Sequence, residues 1–163
     1  MTTASGVTAR TPGAVTRSIL IAGLLIGVLS SLDDVGYFTV VEHRDPSFIF
    51  QYIASALLGQ AAFTGGAATT LLGALLHFGI SFVVAAVFIL AAIKLAFLRR
   101  GAILFGLLYA LAVFLVMNAL VVPLTLAPKL AVTLPLIINT IIGTLLAIGL
   151  PCGVIVWRTA RKK

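Results

Sequence analysis

The sequence predicts an all-α fold, an integral-membrane four-helix bundle with an extra re-entrant or interfacial helix between the first and second spans. Three observations carry this. The composition is 61% hydrophobic and 9% charged, against roughly 45–50% and 25% in soluble globular chains, so a water-facing surface cannot be built from it. Four apolar runs are each long enough to cross a hydrocarbon core of about 30 Å, which takes roughly 20 helical residues. The charges fall between those runs.

Residues 1–17 read as a cytoplasmic tail whose first dozen residues, rich in Thr, Ala, Ser and Gly, are expected to be disordered. A single transmembrane domain over 18–157 follows. Its first span, 18–41, is bracketed by Arg17 and Glu42. A signal peptide is the competing reading, but no small-x-small cleavage pattern precedes Asp33 and the apolar run resumes at Val35, which favours an uncleaved span. Residues 46–63 form the extra helix, with Asp45 as its expected N-cap and Thr64, Gly65 and Gly66 closing it. The second span, 67–93, ends at Lys94, and Arg99 and Arg100 precede the third, 101–122. Pro123 and Pro128 stop the third, since proline lacks the amide a continuing helix needs, and Pro135 opens the fourth, 135–157, at its first turn. Trp157 and Arg158 mark the last interface, and 158–163 is a basic cytoplasmic tail.

The basic residues orient the bundle, because short cytoplasmic loops retain Lys and Arg. With the N-terminus inside, Arg10, Arg17, Lys94, Arg99, Arg100, Arg158, Arg161, Lys162 and Lys163 lie inside, and Arg44 and Lys129 outside. If 46–63 crossed the membrane, five spans and an external N-terminus would put Arg10, Arg17 and Lys129 outside, a poorer division. The net charge of +7 is thus a topology signal, and no nucleic-acid partner is implied. One cysteine, Cys152, excludes an intrachain disulfide and a multi-cysteine metal site.

Polar residues inside spans are the informative ones, since burying each in lipid is costly without a partner or water. These are Asp33 and Asp34 in the first span, His77 in the second, Asn118 in the third and Asn139 in the fourth. Counted from each span's middle at about 1.5 Å per residue, all lie on the outer side by roughly 5–10 Å. Asp34 continues the face of Gly23, Gly27 and Ser30, with Asp33 about 100° away; His77 shares a side with Thr70, Gly73 and Ser81, and Asn139 with Gly143 and Ala147. Asn118 shares its side with Leu111, Phe114 and Leu115. The bland alternatives are helix-to-helix hydrogen bonding for the asparagines, and a first span ending at Leu32 with both aspartates interfacial. For His77 a packing role and a proton-relay role stand side by side. Tyr37, Tyr52 and Tyr109 read as aromatic anchors or packing groups. The chain has no phosphate-binding Gly-Lys loop, HExxH pair or G-x-S-x-G elbow, so neither catalytic residues nor a metal or other cofactor are assigned, and an enzyme is disfavoured.

The strings QYIASALLGQAAFTGG (Gln51 to Gly66), LLGALLHF (Leu71 to Phe78) and MNALVVPLT (Met117 to Thr125) resemble an uncharacterised family of small bacterial inner-membrane proteins with about four transmembrane helices. The resemblance covers about Gln51 to Pro151. It implies a bacterial inner (plasma) membrane location and this architecture, with no established activity, and adds Gln51 to the candidate positions together with Gly59, His77, Asn118 and Pro123. Relatives place another polar residue, sometimes histidine, near the start of the last helix, where this chain has Asn139.

Two functions follow as expectations. One is a membrane-embedded binding or accessory protein whose layer of Asp33, Asp34, His77, Asn118 and Asn139, with Gln51, holds a small ligand, a membrane lipid or a partner helix. The other is a proton- or ion-coupled permeation unit in which Asp34 and His77 exchange protons, acting as an oligomer. The steps Gly23/Gly27 and Gly149/Gly153 offer close-approach faces for a homo-oligomer or for packing within the bundle.

Overall fold

A computed structural model describes residues 12–161; residues 1–11 with Arg10, and Lys162 and Lys163, lie outside the described residues, while residues 12–17, read as the end of the tail, already belong to the first helix. Four helices are long and apolar enough to cross a membrane, Pro12–Val40, Gly66–Lys94, Ala102–Leu124 and Leu134–Ala160, with a shorter apolar helix over Phe48–Thr64. This is the bundle the composition predicts, a multi-pass membrane protein by the length and apolarity of its helices.

The first span is α1 (Pro12–Val40), an unbroken 29-residue helix that carries both aspartates. After it the chain turns at His43, whose φ is 52°. Asp45 is not the cap of the next helix. Its Oδ1 accepts from the amide of Ser47 at 2.8 Å and from the Ser47 hydroxyl at 2.6 Å, and those two donors hold its carboxyl below the usual carboxylate range. Ser47 takes the cap position without a side-chain cap bond.

The extra helix, α2 (Phe48–Leu58), has 11 residues, about 16 Å at 1.5 Å per residue and so half a crossing. The helix expected to run on to residue 63 breaks at Gly59, whose φ of 58° is the left-handed region that glycine enters without steric cost, and a 3-10 turn (Gly59–Thr64) leads on. α2 lies against α3 (Gly66–Lys94). The fit depends on Gly73, since a Cβ there would run into the backbone carbonyl of Phe50. The Leu126 amide donates to the Ala56 carbonyl at 3.1 Å, tying α2 to the loop beyond the third span.

At the far end of α3, Arg99 in the five-residue turn α4 (Ala96–Arg100) donates to the Ala92 and Ile93 carbonyls at 2.8 and 2.9 Å. These are helix-end carbonyls without partners in their own helix, and the guanidinium satisfies them at the favourable end of the dipole.

The third span is α5 (Ala102–Val116), widened into a π turn at Met117–Val121 and ended by a 3-10 turn at Val122–Leu124. The fourth is α6 (Leu134–Thr144), a second π turn at Leu145–Gly149, and α7 (Leu150–Arg161). Each wide turn ends two residues before a proline, Pro123 and Pro151. A proline has no amide for the carbonyl four residues back, here Ala119 and Ala147, and its ring crowds that carbonyl, so the turn before it opens. Pro123 therefore sits inside the last turn of the third span, where the sequence reading placed it just beyond. Thr133 caps α6, its hydroxyl accepting from the Leu136 amide at 3.3 Å, with Pro135 in the first turn.

Small residues set the packing. Gly23 and Gly27 lie under the rings of Phe82 and Phe78, which seats α1 on α3, and Gly149 and Gly153 meet the backbone at Gly106 and Ile103, which seats the fourth span on α5. Both close-approach faces named for an oligomer are thus occupied by this chain's own helices. Beneath them an apolar core joins Ala22 and Ile26 to Val84, Ala85, Phe88 and Ile89, and to Ala102, Cys152 and Val156. A second cluster, Tyr37, Phe38 and Ile49 with Leu130 and Leu136 against it, closes the other end.

Candidate functional site

Between these two clusters lies a cavity of about 270 Å³, just under the roughly 300 Å³ at which small-molecule pockets begin. Every long helix lines it. α1 gives Ser30, Asp33 and Asp34, α3 gives His77 and Ser81, α5 and its π turn give Phe114 and Asn118, and α6 gives Thr140 and Thr144. Polar residues that the sequence put at one depth therefore come together in space.

His77 is fixed by α1. Its Nε2 is 3.1 Å from the Gly27 carbonyl and 3.1 Å from Ser30 Oγ. A carbonyl only accepts, so Nε2 must carry the hydrogen, and the Ser30 hydroxyl, which donates to the Ile26 carbonyl at 2.6 Å, takes it as a second acceptor. Phe50 and Phe78 meet the imidazole edge-on at 6.2 and 5.7 Å between centroids. Nδ1 is left as an unused acceptor in the neutral ring. Among the described residues His77 forms no ion pair with Asp34; the two share the cavity wall without bonding to each other.

Asp33 reaches across to the fourth span. Its Oδ2 accepts from Asn139 Nδ2 at 3.2 Å, and the carboxylate lies so close on Gly143 that a Cβ there would collide with it. The sequence reading made Asp33 the peripheral aspartate and Asp34 the inward one; both line the cavity, and Asp33 is the one that joins two spans. Asn139 acts behind the wall, as the donor to Asp33. Asn118 lines the cavity but is exposed, and its amide donates to the Phe114 carbonyl in its own helix at 2.9 Å. Gln51 is elsewhere, in an open groove with Ser47, Thr70 and Ala74 on the outside of the α2–α3 pair. Thr70 and Gly73 share the side of α3 assigned to them with His77 but meet other neighbours, since the first borders that groove and the second seats α2 at Phe50, whose ring also meets His77.

Residues the sequence reading missed are Tyr52, Thr140 and Thr144. Tyr52 was read as an anchor and lines the cavity from α2 with Ile53 and Ala56. Threonines in a span carry little signal, because their hydroxyls bond the preceding turn wherever they face; Thr140 does so to the Leu136 carbonyl at 2.7 Å.

The fold and site define a class, a multi-pass membrane protein with a largely apolar cavity between its spans that carries a few polar groups. Comparison with protein-family models, curated proteins and solved structures returns no match. The family resemblance therefore rests on its three sequence strings alone.

Proposed function

We propose that this chain is a binding protein of the bacterial inner membrane, with both termini cytoplasmic, and that the cavity at Asp33, Asp34 and His77 holds a small ligand. The observation that carries this reading is the cavity itself, to which all four spans contribute polar groups and in which Asp33 and His77 are held by bonds from neighbouring helices. Gly143 and Asn139 shape and hold Asp33, and Gly27 and Ser30 hold His77. A group restrained from outside a site is placed for what enters it.

Permeation fits less well. On one side of the polar layer the spans close on the apolar core at Ile26, Val84 and Phe88, where the Tyr109 hydroxyl donates to the Val84 carbonyl at 2.9 Å and its ring meets Phe88 at 5.1 Å. A proton path would have to cross that core without polar groups to carry it. Purified protein in liposomes under a pH gradient tests the choice. Proton entry should equal that of protein-free vesicles, and entry above that level which is lost in His77→Ala would overturn the binding reading in favour of a permeation unit.

A further inference from the structure

We propose that the ligand is a small amphiphilic amine in its ammonium form, taken up from the bilayer through a window between α3 and α5. This rests on the binding reading and names the ligand class of the same cavity.

The charge of the wall is the first ground. The chain has 11 basic and 4 acidic residues, yet Asp33 and Asp34 line the cavity and no Lys or Arg does. The second is the state of the acceptors. Asp34 is half-buried in the cavity wall and receives no hydrogen bond from any described residue, a costly position for a carboxylate within a span unless a donor reaches it. Around it Ser30, Ser81 and Thr140 direct their hydroxyl hydrogens to carbonyls of their own helices, and His77 turns its N–H to α1. Tyr52 and Thr144 add hydroxyls that can accept as well as donate. The complement is a donor-rich cation, and a primary ammonium brings three N–H donors.

Shape supplies the rest of the molecule. In the same cavity α5 and its π turn contribute Val113, Phe114 and Val121, a wall for a short hydrocarbon body. Access is lateral. On the Gly66 side of the Tyr109–Val84 contact, Ile80 of α3 and Asn118 beyond α5 both line the cavity and are both exposed, so the gap opens on the face the bilayer covers. A phospholipid headgroup with an amine fits worse, since no basic side chain lines the cavity to receive its phosphate.

The test is a titration of the full chain in phosphatidylcholine nanodiscs, with 13C-labelled aspartate and 15N-labelled histidine read by NMR and empty discs as background. Hexylammonium should shift the Asp34 carboxyl signal saturably, hexanol should bind at least tenfold more weakly and hexanoate not at all. Asp34→Asn, followed at His77, should weaken hexylammonium at least tenfold; Asp33→Asn, which keeps an acceptor for Asn139, should weaken it less, and melting curves should show both variants folded. Hexanol binding as tightly as hexylammonium, or Asp34→Asn binding like the parent, would overturn the cation class and leave the binding reading intact. Competition by phosphatidylethanolamine added to the discs would overturn the free amine in favour of a headgroup. No saturable shift with any of the three compounds would overturn the amine proposal and count against the binding reading as well.

Discussion

The bond from Asn139 to Asp33 joins side chains 106 residues apart, and its removal has two distinct costs. Asn139→Leu leaves a carboxylate without its donor, for which about 1–3 kcal/mol is typical, whereas Asp33→Leu with Asn139→Leu removes both needs together. The double variant should therefore be more stable than the sum of the singles, by a coupling near the roughly 0.6 kcal/mol average of intramembrane polar pairs. Unfolding in an SDS titration measures it, and strict additivity would mean the bond contributes nothing. A second expectation concerns His77. With Gly27 as acceptor, 15N spectra near neutral pH should show the neutral ring protonated at Nε2, and Ser30→Ala should keep that tautomer because the carbonyl remains. The polar positions themselves were legible because charge and amide groups are rare in lipid-facing helices. Which aspartate faces inward was not. Periodicity oriented α1 by its glycines, which point to α3, but the cavity is walled by α6 as well, so neighbours about 100° apart on one helix both reach it.

Gly73 decides whether α2 can dock. A Cβ at that position meets the Phe50 carbonyl, which is backbone and cannot swing aside. Gly73→Ala should therefore lift α2 from α3 while leaving the seats of Phe78 and Phe82 on Gly27 and Gly23 in place. The Leu126 amide, bonded to Ala56 in the parent, reports this directly: its hydrogen exchange should accelerate at least tenfold in the variant, with exchange of the α1 core amides near Ile26 unchanged. Equal protection at Leu126 would show that α2 is held by other contacts. Long spans were legible at this scale because about 20 apolar residues admit few alternatives in lipid. The short helix was not, since it is too brief to fix its own depth or face. Hence Gln51 took the outer groove and Tyr52, one residue on, took the cavity.

For the molecule as a whole, four spans require both ends on one side, and the loops assign the side. The turn between the second and third spans holds Lys94, Arg99 and Arg100, with the Arg99 guanidinium already engaged in capping α3, while the loop between the third and fourth holds Lys129 alone. Basic turns of this kind tend to be retained in the cytoplasm, and the proposed orientation accordingly puts the loop at Lys129 outside. Alkaline phosphatase fused at Lys129 should be active, and fusions at Arg100 and after Lys163 inactive, with a cytoplasmic reporter giving the reverse pattern. A cytoplasmic Lys129 would invert the bundle and place the cavity in the inner half. Cysteine labelling at Gly65 from outside agrees with either four or five spans, so the N-terminus is the discriminating site. α2 is half the length of a crossing and breaks at Gly59, so in the proposed orientation α1 alone carries the chain from an internal N-terminus to an external turn at His43. A cysteine at Arg10 should accordingly resist impermeant maleimide in intact cells and react after permeabilisation; labelling in intact cells would mean an odd number of crossings and a spanning α2.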